Sequence, residues 1–229
     1  MDANIQAAAA RLSRRLKAKS KTVTVAESCT GGLLASCLTD IAGASAWFQR
    51  SYVTYANQAK IEELGVDPES LATKGAVSAQ VAIQMAKGAL KRAKADFAIS
   101  VTGIAGPTNE GSSKPVGTVY VGIASRTWAN AIRTQIGGSR AENKAGFVHF
   151  ALLTAMNCWD EAFERMKQEK AQEIHELEEA LRQQAKEAEQ RAQREEAAKE
   201  QAPWQDEAWE ESPPKEEIGL KVEWADGEE

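Results

Sequence analysis

The chain has 229 residues, 43% of them hydrophobic, and a formal net charge of −5, enough for one sizeable domain plus an appendage. No stretch is long and apolar enough for a membrane-spanning helix. Cys29, Cys37 and Cys158 are odd in number and contain no C-x-x-C pair, and His149 and His175 lie far apart, so neither a disulfide framework nor a metal site is expected. This pattern fits a reducing, cytoplasmic setting, which is the expectation.

The first 21 residues lack the apolar core of a secretory signal. They read instead as an amphipathic helix with Ile5, Ala8, Leu12 and Leu16 on one face. Residues 22–27 (TVTVAE) form a strand that breaks at Ser28-Cys29-Thr30-Gly31-Gly32 into a helix over about 31–41. A serine at such a junction sits at the C-terminal edge of a sheet, beside the free N–H groups of the next helix. Those donors can hold an oxyanion or a phosphate, and Gly31 and Gly32 let a ligand approach the backbone. Ser28 or Thr30 serves equally well as an ordinary helix cap.

Residues 51–55 (SYVTY) read as a strand and 57–64 as a short helix, while 65–75 (GVDPESLATKG) is expected to be a loop. The spacing predicts a helix over 77–93, capped by Ser78, with Val81, Met85 and Leu90 turned inward. Residues 96–102 (DFAISVT) suit a strand buried on both faces. The Gly-, Pro- and Ser-rich loop over 103–117 is long for a compact domain, as functional loops often are. Strands over 118–125 and 131–137 form a hairpin, and a long helix from about residue 140 puts Phe147, Phe150, Ala151 and Leu153 on the core. Strands interleaved with helices predict an α/β fold, a three-layer sandwich whose mixed sheet is covered by helices on both faces.

Three segments are expected: a domain over 1–159, a charged helical extension over 160–202, and an acidic tail over 203–229. Through Trp159 there are 18 Lys and Arg against 10 Asp and Glu; residues 160–202 hold 8 and 13, and 203–229 hold 2 and 10. A basic body suits an anionic ligand, although scattered surface lysines produce the same balance. Ile174, Leu177 and Leu181 follow a 3-4 spacing, but only alanines (Ala185, Ala188, Ala192) continue it, which describes a solvated helix better than a coiled coil. Trp204, Trp209 and Trp224 in a tail expected to be disordered offer anchors for a protein partner. The tail's negative charge argues against nucleic acid.

A serine nucleophile needs a base. Histidine is poorly placed here, and a lysine whose pKa is depressed by burial is the alternative. Lys60 is the candidate, five residues after Tyr55, whose hydroxyl can join the site; a solvated lysine and a half-buried tyrosine explain the same spacing. The loop SVTGIAGP offers Thr102, Gly103 and Gly106 as contacts for a polar or phosphate group, though a plain strand-to-loop turn fits it as well. Arg140, at a helix start, can clamp an anion or simply face solvent.

Together, AESCTGG, FQRSYVTYANQAK, GAVS, SVTGIAGP and KPVGTVYVGIAS, in that order, closely resemble the CinA C-terminal domain family over about residues 5–158. Its single-domain members are nicotinamide-nucleotide amidases. The resemblance implies Ser28 as nucleophile, Lys60 as general base and Tyr55 lining the catalytic site. It also implies Thr102 as a substrate contact, joined by Gly103, Gly106 and Arg140, with Thr30, Gly31 and Gly32 as donors to the oxyanion. The implied reaction hydrolyses the carboxamide of a mononucleotide substrate, nicotinamide mononucleotide, with no metal or cofactor, in a homo-oligomer. Two positions depart from the pattern: Ser139 stands where the family usually has Asp, and Lys144 where it has a second arginine. These departures, and the extension after residue 159, keep open an inactive nucleotide-binding or protein-interaction module.

Overall fold

The structure is a computed structural model that describes residues 2–109 and 111–201. The tryptophans and acidic residues expected to form a tail lie outside the described residues. The chain divides into two units, one ending at Met166 and one beginning at Lys167.

The first unit is built on a five-stranded sheet in the order β2-β1-β3-β4-β5. Its strands are β1 (Val23–Glu27), β2 (Phe48–Val53), β3 (Phe97–Gly103), β4 (Thr118–Ser125) and β5 (Ala129–Gln135). β1 runs parallel to both β2 and β3, whereas β3–β4 and β4–β5 are antiparallel. The sheet is therefore mixed, with the hairpin that the short link before β5 requires. β1 is buried along its whole length, polar Thr24 and Glu27 included, because β2 and β3 flank it, while edge strand β2 exposes most of its residues.

One face of the sheet carries α1 (Ala3–Ala18), α2 (Leu33–Thr39) and the start of α6 (Arg140–Gln201). Leu12, Leu34 and Phe147 pack there against Val25, Ile99 and Val121. The other face carries α3 (Asn57–Leu64), α4 (Pro68–Lys74) and α5 (Ala79–Ala93), with Leu64, Val81 and Met85 against Ala26. α5 lies unusually close to the strands because the residues beneath it are small. Ser100 Oγ donates to the Ala82 carbonyl at 2.6 Å, and a Cβ on Gly122 would fall 2.3 Å from that same oxygen. α3 and α5 touch through Gly88, where a Cβ would lie 1.9 Å from the Leu64 carbonyl oxygen.

Residues 65–75 are not the expected loop: Pro68–Lys74 is helical. Asp67 caps it, accepting from the amides of Glu69 at 3.2 Å and Ser70 at 3.1 Å. Pro68 occupies the first helical turn, where its missing N–H costs nothing, so the Asp-Pro pair marks a helix start rather than a break. Ser78 caps α5 as expected, accepting from Val81 N–H at 3.3 Å.

In the second unit, α6 continues to Gln201. Ile174, Leu177 and Leu181 are exposed there. No described helix is long and apolar enough to cross a membrane.

Candidate active site

Topology brings the site together. Glu27, the last residue of β1, pairs with Val53 of β2 and Val101 of β3. Because these three strands are parallel, Ser28, Thr54-Tyr55 and Thr102-Gly103 emerge side by side at one edge of the sheet, where open α/β sheets bind their ligands. β5 runs in the same direction, so the start of α6, with Arg140, returns to that edge. Ser28, Tyr55, Lys60, Thr102 and Arg140 all line a single cavity of about 430 Å³.

Lys60 lies one turn into α3, immediately after β2, and is only 1% exposed. Its Nζ is 3.1 Å from Ser28 Oγ, 2.9 Å from the Thr54 carbonyl oxygen and 3.0 Å from the Tyr55 carbonyl oxygen. Burial lowers its pKa from 10.5 to about 8, with no carboxylate bound to the amine to counter it. A neutral amine has two N–H groups and one lone pair. The two carbonyls can only accept, so they take both hydrogens and leave the lone pair for the Ser28 hydroxyl proton. This arrangement can deprotonate an alcohol near neutral pH. Neighbouring Cys29 also lines the cavity, but burial pushes its thiol up to about 12, so it stays protonated.

Tyr55 divides its roles. Its carbonyl holds Lys60, while its hydroxyl accepts from Arg140 Nη2 at 2.8 Å. Arg140 Nη1 donates to the Gly106 carbonyl, so the guanidinium braces β2's end against the glycine loop. Thr102 Oγ1 donates to the Ala76 carbonyl at 2.8 Å, and Gly103 and Gly106 form part of the wall.

The structure does not bring Thr30, Gly31 and Gly32 into the cavity lining. Gly31 N–H donates to the Ser28 carbonyl at 3.1 Å. Gly32 N–H donates to the Glu27 carboxylate at 3.0 Å, which also accepts from Leu34 N–H at 3.1 Å and Ala35 N–H at 2.8 Å. The first turn of α2 is thus capped from within by a fully buried glutamate. Gly31 and Gly32 are needed for their positive φ of 62° and 95°. Thr30 is fully buried, and its hydroxyl has no hydrogen-bond partner among the described residues.

Glu27 was not singled out from the sequence, although a carboxylate just before a helix start is a readable signal. Asn143 was missed too: fully buried, it donates to the carbonyls of Ala105 at 3.0 Å and Gly138 at 3.1 Å, tying α6 to the glycine loop. At Ser139, where the family pattern has Asp, the backbone N–H donates to Glu142 Oε2 at 2.7 Å and the Glu142 N–H points back to Ser139 Oγ at 3.4 Å. This is a capping box, so Ser139 starts α6 in its own right. Among the described residues no three His, Cys, Asp or Glu side chains converge as metal ligands.

A mixed α/β sheet with a lysine-paired serine at its C-terminal edge defines the class. The chain belongs to the CinA C-terminal domain family, which it matches over residues 5–159. It is 46% identical over 154 residues to the nicotinamide-nucleotide amidohydrolase PncC of Escherichia coli (strain K12), spanning 67% of this chain and 93% of that protein. The PncC of Enterobacter agglomerans is 51% identical over 142 residues, spanning 62% of this chain and 87% of the other. Among solved structures, competence/damage inducible protein CihA from Agrobacterium tumefaciens superposes with a TM-score of 0.67 at 42% identity, covering 70% of this chain and 98% of that one.

Proposed function

We propose that this protein hydrolyses the carboxamide of nicotinamide mononucleotide, giving nicotinate mononucleotide and ammonia. The observation that carries the mechanism is the Lys60–Ser28 contact of 3.1 Å at the buried end of a cavity that no described Asp or Glu lines. Identity of 46% to a nicotinamide-nucleotide amidohydrolase over 93% of its length supports the substrate.

Neutral Lys60 takes the proton of Ser28 as Oγ attacks the carboxamide carbon, forming a C–O bond and placing negative charge on the carbonyl oxygen. The new ammonium on Lys60 stands beside that charge and offsets it. Lys60 then gives its proton to the amide nitrogen, the C–N bond breaks, and ammonia leaves. Water enters, and Lys60 removes its proton as the water oxygen bonds the acyl carbon. The ester C–O bond to Ser28 breaks, and Lys60 returns the proton to Ser28 Oγ, releasing the acid and regenerating both groups.

The test is ammonia release from nicotinamide mononucleotide by the purified protein beside Ser28→Ala and Lys60→Ala, without added metal. Each variant is expected to lose about 10³-fold or more in kcat while remaining folded. A Ser28→Ala variant as active as the parent would remove the nucleophile assignment. No release by the folded parent would favour an inactive binding module.

A further inference from the structure

The long loop between β3 and β4 is not used by the chemistry above. It is nonetheless held in place at several points. Ile104 N–H donates to the Thr118 carbonyl at 2.8 Å, and Gly117 N–H to the Ile104 carbonyl at 2.8 Å, so the loop closes at its base. Within it, Ser112 N–H donates to the Asn109 carbonyl at 2.9 Å, Asn109 Nδ2 to the Ser112 carbonyl at 2.9 Å, and Lys114 N–H to Ser112 Oγ at 3.2 Å. These bonds set half-buried Lys114 in the wall of the cavity that Ser28 and Lys60 share.

Among the described residues, three cations line this cavity: Lys60, Arg140 and Lys114. The first two are engaged. Lys60 is held by two carbonyls beside the nucleophile, and the two terminal nitrogens of Arg140 go to the Gly106 carbonyl and the Tyr55 hydroxyl. The Lys114 ammonium has no hydrogen bond or ion pair among the described residues, and no described carboxylate lines the cavity to neutralise it. An ammonium with no described partner, in a partly enclosed site lined by no described carboxylate, is complementary to an anion, and a lysine acts on phosphate as a point charge with three donors.

We infer that Lys114 takes the phosphate of the substrate, so that it sets the preference for a mononucleotide over its nucleoside; this rests on the reading under Proposed function. Arg140 spends two of its five N–H groups on bracing Tyr55 and the glycine loop, whereas Lys114 is the lining cation whose ammonium has no described partner.

The experiment uses the full chain, its Lys114→Ala and Lys114→Arg variants, and ribose 5-phosphate as a probe that cannot be turned over. By titration calorimetry, Lys114→Ala is expected to weaken ribose 5-phosphate binding by about 10- to 100-fold, with Lys114→Arg recovering most of it. In turnover, Lys114→Ala raises KM for nicotinamide mononucleotide far more than it lowers kcat. It also narrows the ratio of kcat/KM between the mononucleotide and nicotinamide riboside by a similar factor. Unchanged ribose 5-phosphate binding, or equal losses on mononucleotide and riboside, would overturn the assignment. If the parent releases no ammonia but ribose 5-phosphate binding still depends on Lys114, the amidase reading fails and the phosphate site stands.

Discussion

Lys60 Nζ lies 3.1 Å from Ser28 Oγ although 32 residues separate them in the chain. The contact exists because β1 and β2 are parallel neighbours, so the residue after one strand and the helix after the other leave the sheet at the same edge. The lysine stays because its three contacts satisfy a neutral amine as well as they would a charged one, so neutralisation relieves the cost of burial.

A pH profile follows from this environment. The base must be unprotonated, and burial places its pKa at about 8. Turnover should therefore rise by about ten-fold per pH unit on approaching pH 8 from below and level off above it. A rate independent of pH across that interval would rule out Lys60 as the base.

Stability should depend on pH through the same group. The unfolded chain holds the lysine proton up to about 10.5, whereas the folded chain releases it at about 8. Between these values the unfolded state binds more protons, so stability rises with pH, and the gain is lost as pH falls through 8. Urea unfolding of the parent and Lys60→Met should show the parent gaining on the variant between pH 8 and 10.5. A difference constant with pH would mean that the amine is not titrating in the fold.

Glu27 is expected to matter to stability more than its place before the serine suggests. Its carboxylate accepts from the amides of Gly32, Leu34 and Ala35 in the interior. Glu27→Ala leaves those donors without a partner and should cost on the order of 3 kcal/mol by chemical denaturation, with Glu27→Gln milder because one acceptor remains. If the alanine variant lost less than about 0.5 kcal/mol, the cap would be energetically idle.

The division of labour along the chain can be tested by ending it after Met166. Arg15 pairs with Asp160 at 2.6 Å, Trp159 meets the Phe97 ring edge-on at 5.5 Å, and Lys19 sits 4.1 Å from the Phe163 ring. These contacts belong to the first unit, and a cut beyond them preserves them. Residues 1–166 should keep kcat/KM within about two-fold of the full chain, because every residue given a chemical role precedes Asn143. Loss of turnover in this folded fragment would shift the function toward the extension.

Much of this was legible in the residues. The buried strand over 96–102, the cap at Ser78, the start of α6 near Arg140 and the mixed sheet all follow from local composition and period, which depend only on neighbours in sequence. The helix Pro68–Lys74 was not, because Asp-Pro serves both loops and helix starts, and only the bonds from Asp67 to the Glu69 and Ser70 amides decide between them.

By itself, the sequence determined the fold class, the strand-to-helix junction at Ser28 and the family resemblance carried by its ordered motifs. Only the tertiary structure decided that the amine of Lys60 rests on the carbonyls of Thr54 and Tyr55, and that the Tyr55 hydroxyl turns to Arg140. It also decided that the amides of Gly32, Leu34 and Ala35 donate to the Glu27 carboxylate. The physical reason is the same in each case. Helix and strand preferences act over a few residues, whereas the partner of a buried polar group is set by which strands lie side by side, and that is a property of the whole sheet.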